Sequence, residues 1–214
     1  MGATWEASAV RKFLIQMAVG AVVGVLSMAV LLYLGKPLLP LAGRVAMLAA
    51  CMGALYVVLG LFVGAGAMAP GAGAHFLNVE DAEELREQRA MLGYSAVSCC
   101  LAGLFLLILS VGPVAARGSG STLLAVAAGA CLLGAIVSGK LCFDRCDELM
   151  RRICAEASVL TLNLGLVLLS GWGALAHLGL IAWITPLGLL AGVSLLYLLA
   201  SFWVVGRRGM LKPR

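Results

Sequence analysis

Residues 157–178 read ASVLTLNLGLVLLSGWGALAHL, and residues 184–205 read ITPLGLLAGVSLLYLLASFWVV. Each run is 22 residues long and holds no Asp, Glu, Lys or Arg. A helix needs about 20 mostly apolar residues to cross a hydrocarbon core of roughly 30 Å. Lipid offers no water to backbone amides, so each must bond within its own segment, which a helix allows. Only residues 179–183 separate the two runs. So short a connection predicts an antiparallel hairpin.

The same signature recurs over 13–34, 45–68, 91–114 and 122–139, and the six runs together cover 132 of 214 residues. The chain is 63% hydrophobic and 12% charged, with a mean hydropathy of +1.07. Soluble domains are about 45–50% apolar and about 25% charged. The composition therefore excludes a cytosolic enzyme, a disordered chain and a secreted disulfide scaffold. The runs are continuous rather than alternating, which excludes a β-barrel. The expected fold is an all-α polytopic membrane protein, one helical-bundle domain over residues 1–214, with six transmembrane helices in three hairpins. The first run exceeds the roughly 7–15 apolar residues of a signal-peptide core and reads as a retained span.

Six spans put the N-terminus, the second and fourth loops and the C-terminus on one side. Those segments carry 12 basic residues, including Arg11, Lys12, Arg86, Arg89, Lys140, Arg151 and Arg152; the other side has only Lys36, Arg44 and Arg117. The positive-inside rule predicts cytoplasmic termini. The net charge of +5 is then a topogenic bias, and no nucleic-acid partner is expected. The basic tail from Arg207 to Arg214 is placed to touch anionic headgroups, at about 1 kcal/mol per residue.

Two inner segments, about 79–90 and 140–156, run without a breaker into the next span and read as cytoplasmic helical extensions. In the second, Asp147 with Arg151 and Glu148 with Arg152 are i,i+4 pairs, each worth about 0.2–0.5 kcal/mol. An acid, four residues and a base precede each odd-numbered span: Glu6–Arg11, Glu84–Arg89 and Asp147–Arg152. The recurrence suggests an internal hairpin repeat, a device of transporters.

The segment Asp147-Glu148-Leu149-Met150-Arg151-Arg152, followed by Glu156-Ala157, two spans and a basic tail, resembles a group of small bacterial inner-membrane proteins without an assigned activity. The resemblance covers the last 70 residues or so. It implies class and compartment, and nothing about chemistry.

Ionisable groups inside a membrane are the default pointers to an ion path, and here they are scarce. Glu156 opens the fifth span with Arg152 one turn before it, and Asn163 lies two turns inside. These three are the candidate functional polar residues. Against that reading, Glu156 suits a helix N-terminus and a pairing with Arg152, and Asn163, like Gln16, suits interhelical hydrogen bonding. Glu83, Glu84, Asp147 and Glu148 form the candidate partner face.

Of seven cysteines, Cys142, Cys146 and Cys154 fall in the fourth loop. On one continuous helix Cys146 lies about 40° from Cys142 and Cys154 about 120°. Their spacing matches no structural zinc pattern. His75 and His177 fall on opposite sides, which excludes a haem held between them. No Walker loop, nucleophile elbow or zinc-protease motif is present. No catalytic residue, metal ligand or cofactor is therefore assigned. Small residues recur every four positions at Gly20–Gly24, Gly60–Gly64, Ala130–Gly134–Ser138 and Gly188–Gly192, which suits close helix packing within one chain or between copies. The expectation is a non-enzymatic accessory membrane protein that engages a protein partner through its charged face. The alternative is a small-solute transporter or channel.

Overall fold

The structure is a computed structural model that describes residues 39–69, 82–115 and 120–210, with isolated positions at 24, 25, 29, 33, 71 and 73. Among the described residues six helices follow in order: α1 (Leu39–Met68), α2 (Ala82–Glu87), α3 (Arg89–Ala115), α4 (Gly120–Asp144), α5 (Glu148–His177) and α6 (Pro186–Arg207). No strand occurs among the described residues. Five stretches are long and apolar enough to cross a membrane: Gly43–Met68, Arg89–Gly112, Ser121–Asp144, Glu148–His177 and Pro186–Arg207. The first expected span, 13–34, falls outside the described residues except at four positions.

The interior is made of small side chains and the exterior of large ones. Among the described residues, 11 of the 15 buried hydrophobic residues are alanines, including Ala49, Ala50, Ala96, Ala135, Ala157 and Ala200. Leu123, Val126, Leu133, Val167 and Phe202 are each more than half exposed. In water this would forfeit the large side chains' burial, worth about 1.5–3 kcal/mol apiece. In lipid there is no such loss, and close backbone approach through small residues drives association instead. The distribution supports a multi-pass membrane protein independently of composition.

α1 and α3 approach most closely. A Cβ at Gly53 would lie 2.7 Å from the Gly103 carbonyl oxygen, and a Cβ at Gly103 would meet the Gly53 carbonyl in return. Two turns along, a Cβ at Gly60 would lie 2.6 Å from both the Ala96 oxygen and Cys100 Sγ. Matching 53 with 103 and 60 with 96 means the two helices run antiparallel. α3 packs antiparallel on α4, where Ser98 donates to the Ala135 carbonyl at 2.9 Å and Gly134 faces Leu101. α6 joins α1 through a hydrogen bond from the Tyr56 hydroxyl to the Ser194 carbonyl, 2.9 Å. α5 packs on α6 around Ile153, Ala157 and Val204, with Met150, Leu160 and Met210 at the margin.

These pairings gather the start of α3 and α5 and the end of α4 and α6 at one end of the bundle. Lys140, Asp144, Arg145, Asp147, Glu148, Arg151, Arg152, Glu156, Arg207 and Arg208 all lie there. The helix stops follow from local chemistry. Gly179 (φ +74) and Gly209 (φ +71) take the left-handed conformation that closes α5 and α6, and the next amides reach back from Leu180 to Leu175 and from Met210 to Val205.

The expected helical extension over 140–156 is corrected: the chain breaks at residues 145–147. Its first part lengthens α4 to Asp144, and its second part opens α5 at Glu148. The cause is Asp147, which is not the partner of Arg151. Asp147 has extended backbone (ψ 171°), and its carboxylate accepts the Met150 amide at 2.7 Å as an N-cap. Of the 79–90 segment, residues 82–90 are described: one turn residue, Gln88, separates α2 from α3, and helix-type bonds run across it from the Gln88 backbone amide to the Glu84 carbonyl (3.0 Å) and from the Leu92 amide to the Gln88 carbonyl (2.9 Å). Glu84 lies inside α2, where its carboxylate accepts from the Gln88 side-chain amide at 3.2 Å, whereas Asp147 precedes its helix. The two acids of the sequence recurrence thus do different structural work.

Candidate functional site

α4 and α5 follow one another in the chain but share no packed face. Between them lies a cleft of about 770 Å³, backed by α3 and α6 and reaching Tyr56 of α1. It runs from the turn after α4, at Cys146, into the middle of the bundle, at Ser194 and Leu106.

Its polar lining comes from helix faces at regular spacing. α5 contributes Cys154, Ser158 and Thr161, at i, i+4 and i+7 on one side of the helix. α6 contributes Ser194 and Tyr197, and α3 contributes Ser95, Ser98 and Cys99. Tyr197 and Ser158 line the cleft from the two sides of the α5–α6 boundary. Ala102, Leu106, Phe143 and Val193 make the rest of the wall apolar. Among the described residues, no Asp, Glu, Lys, Arg or His lines the cleft.

Most of the hydroxyl hydrogens are already engaged. Ser158 donates to the Cys154 carbonyl (2.8 Å), Thr161 to Ala157 (2.7 Å) and Ser194 to Leu190 (2.8 Å), each one turn back on its own helix. Such bonds keep a hydroxyl satisfied within an apolar helix. They leave oxygen lone pairs free for a guest.

Three thiols meet at the mouth. Cys142, Cys146 and Cys154 all line it there. The break at 145–147 corrects the placement of Cys142 and Cys146 on one helix face, since they belong to α4 and to the turn after it. Among the described residues no three His, Cys, Asp or Glu side chains converge as metal ligands would.

The residues singled out from sequence lie elsewhere. Glu156 is bound to Arg208 of the α6 C-cap at 2.5 Å, a tertiary ion pair, not to Arg152 as expected. Arg152 pairs with Glu148 at 3.0 Å along α5, as the i,i+4 spacing predicts. Asn163 is exposed on the side of α5 away from the cleft. Glu83, Glu84 and Glu148 are at the charged end, and Asp147 lines a hollow of about 240 Å³ there with Glu87, Gln88 and Arg145. Arg145 also lies over the Tyr94 ring, 5.4 Å from its centroid.

Sequence reasoning missed Tyr56, Ser158, Thr161, Ser194 and Tyr197 as members of one site. A usable signal was present in the spacing of 154, 158 and 161, and of 194, 197 and 201, which sets hydroxyl and thiol groups on single faces of otherwise apolar helices. No family model, no curated protein and no solved structure matches the chain.

Proposed function

We propose that this protein is a multi-pass inner-membrane protein that binds and passes a small uncharged amphipathic molecule through the cleft between α4 and α5. The observation that carries the reading is the lining: hydroxyls and thiols on apolar walls, with no charged group to neutralise an ion. A partly apolar guest gains from the walls, and a few polar contacts orient it. The gap between α4 and α5 gives such a molecule a sideways route from the bilayer. A volume of about 770 Å³ is within the range of small-molecule sites, roughly 300–1,000 Å³. The test is mass spectrometry of small molecules that co-purify with the protein, for wild type and for Ala102→Trp, which fills the cleft. A species retained by wild type and lost in the variant supports the reading. Identical species on both, or none on either, overturns it.

The accessory reading has one observation of its own, the hollow where Asp147, Glu87 and Arg145 meet. It gives a partner a recess of mixed charge on the end that the positive-inside rule assigns to the cytoplasm. Charge reversal at Glu83, Glu84 and Glu148 should abolish an association found in native membranes; an unaltered complex removes this reading. Asp147 is left out of that variant because its reversal would also uncap α5.

A further inference from the structure

The outward face of α5 carries a polar stripe whose middle residues, Asn163 and Ser170, have no hydrogen-bond partner among the described residues. Glu156, Asn163, Ser170 and His177 recur every seven residues, on the side of the helix opposite Thr161 and the cleft. At about 100° per residue, Asn163 is rotated roughly 200° from Thr161. Asn163, Ser170 and His177 are all exposed, and Asn163 stands at the middle of the helix.

The contrast with the other polar side chains gives the stripe its meaning. Ser138, Ser158, Thr161, Ser194 and Ser201 all return a hydrogen bond to their own helix. Among the described residues, neither Asn163 nor Ser170 has a hydrogen-bond partner. A primary amide facing hydrocarbon leaves two donors and an acceptor unsatisfied, which is unfavourable without a partner. A position of that kind is stable when another helix supplies the complement. Among the described residues, α6 alone packs extensively against α5.

We propose that α5 is the seam of a parallel homodimer. Two copies inserted in the same direction are related by a twofold axis along the membrane normal, so each residue on the seam faces its own counterpart. Asn163 suits that symmetry, because an amide is self-complementary: the NH2 of one copy meets the carbonyl of the other, and the reverse. A seven-residue recurrence is the period that keeps a stripe on the seam of two supercoiled helices. The alternate seam positions, Val159 (58% exposed) and Leu166 (56% exposed), are apolar, and Gly173 allows close approach farther along. At the charged end, Arg152 and Glu148, 70% and 73% exposed, are paired with each other at 3.0 Å along α5, so neither brings an unpaired charge to the seam. Glu156, the stripe residue that would face a like charge, is already paired with Arg208 in its own chain.

The test is site-specific photocrosslinking of the full chain in native membranes, with benzoylphenylalanine placed singly at 159, 163, 166 or 170 and, as controls, at 164 or 168. The proposal expects a product of twice the chain mass, containing this chain alone, from the four seam positions and not from the controls. Asn163→Leu should weaken dimerisation in bilayers by roughly threefold to thirtyfold, while Asn163→Gln retains it. The leucine variant removes a lipid-facing polar group without a packed contact, so its fold should survive; if it does not, the crosslinking pattern decides alone. Crosslinks within one chain to residues 13–34, crosslinks to a different protein, or products only with lipid would each overturn the homodimer.

Discussion

Replacing Gly103 by alanine should destabilise the bundle, and the size of the effect follows from the contact between α1 and α3. The added Cβ would meet the Gly53 carbonyl oxygen, with Val57 Cγ2 at 2.7 Å and the Val57 amide nitrogen at 2.8 Å. Ordinary contact begins near 3.4 Å, so even the nitrogen is 0.6 Å too close. Two of the three neighbours are backbone atoms, which cannot rotate away. The helices must separate, loosening the neighbouring contact of Gly60 with Ala96 and Cys100. Overpacking of this kind costs about 1–3 kcal/mol. Alanine's better helix propensity returns at most about 1 kcal/mol. Gly129→Ala is the control, because nothing lies within 4 Å of its Cβ and only the propensity gain applies. The assay is equilibrium unfolding in mixed micelles of mild detergent and dodecyl sulfate, followed by circular dichroism. Gly103→Ala should unfold at a lower dodecyl sulfate fraction than wild type, and Gly129→Ala at the same or a higher one. Coincident transitions for the two variants would refute the close crossing of α1 and α3.

Asp147→Ala removes the carboxylate that caps the Met150 amide at the start of α5 and should cost about 0.5–2 kcal/mol in the same assay; Asp147→Asn should recover most of it, and equal stability of all three would show that the cap is idle. Arg208→Ala breaks the pair with Glu156 that ties α6 to α5. Both groups are partly exposed, so stability should fall by no more than about 1 kcal/mol, and amide hydrogen exchange should rise at Met210 and in the last turn of α6 before it rises in α3. Uniform acceleration through both helices would contradict that local role.

The class of fold was legible because length and charge exclusion decide whether a helix spans lipid, and both can be read without knowing any contact. The expected span over 45–68 matches Gly43–Met68 closely for that reason. The ends were less legible. Residues 140–156 have no glycine or proline after Lys140, so nothing in composition marks a stop. The stop comes from a single carboxylate that bonds a backbone amide instead of a nearby arginine. Glu156 was misassigned for a related reason, since Arg152 is one turn away in sequence whereas Arg208 is brought in by α6. Small-residue spacing found Gly60, Gly64 and Gly134 at helix contacts, but not Gly53 and Gly103. A pair on two different helices leaves no periodic mark on either. The cleft was hidden for the same reason, being assembled from separate faces of five helices.

The direction of the hydrogen bonds in the cleft also constrains what it binds. A serine or threonine hydroxyl has one hydrogen to give and two lone pairs to offer. In Ser98, Ser158, Thr161 and Ser194 the hydrogen points at a backbone carbonyl, and Tyr56 likewise donates to the Ser194 carbonyl. The thiols of Cys99, Cys142 and Cys154 are weak donors. The cleft therefore presents acceptors more than donors, and it should prefer a guest that donates. A long-chain primary alcohol should then bind more tightly than the methyl ether of the same chain, whose oxygen only accepts. One hydrogen bond is worth about 0.5–1.5 kcal/mol net, a preference of roughly twofold to twelvefold. Competition between the two probes, read by native mass spectrometry of the purified protein, measures the ratio directly. Ser158→Ala removes one acceptor and should lower the preference while leaving ether binding unchanged. An alcohol-to-ether ratio of one, or a preference for the ether, would mean that the hydroxyls serve only their own helices and that the walls alone hold the guest.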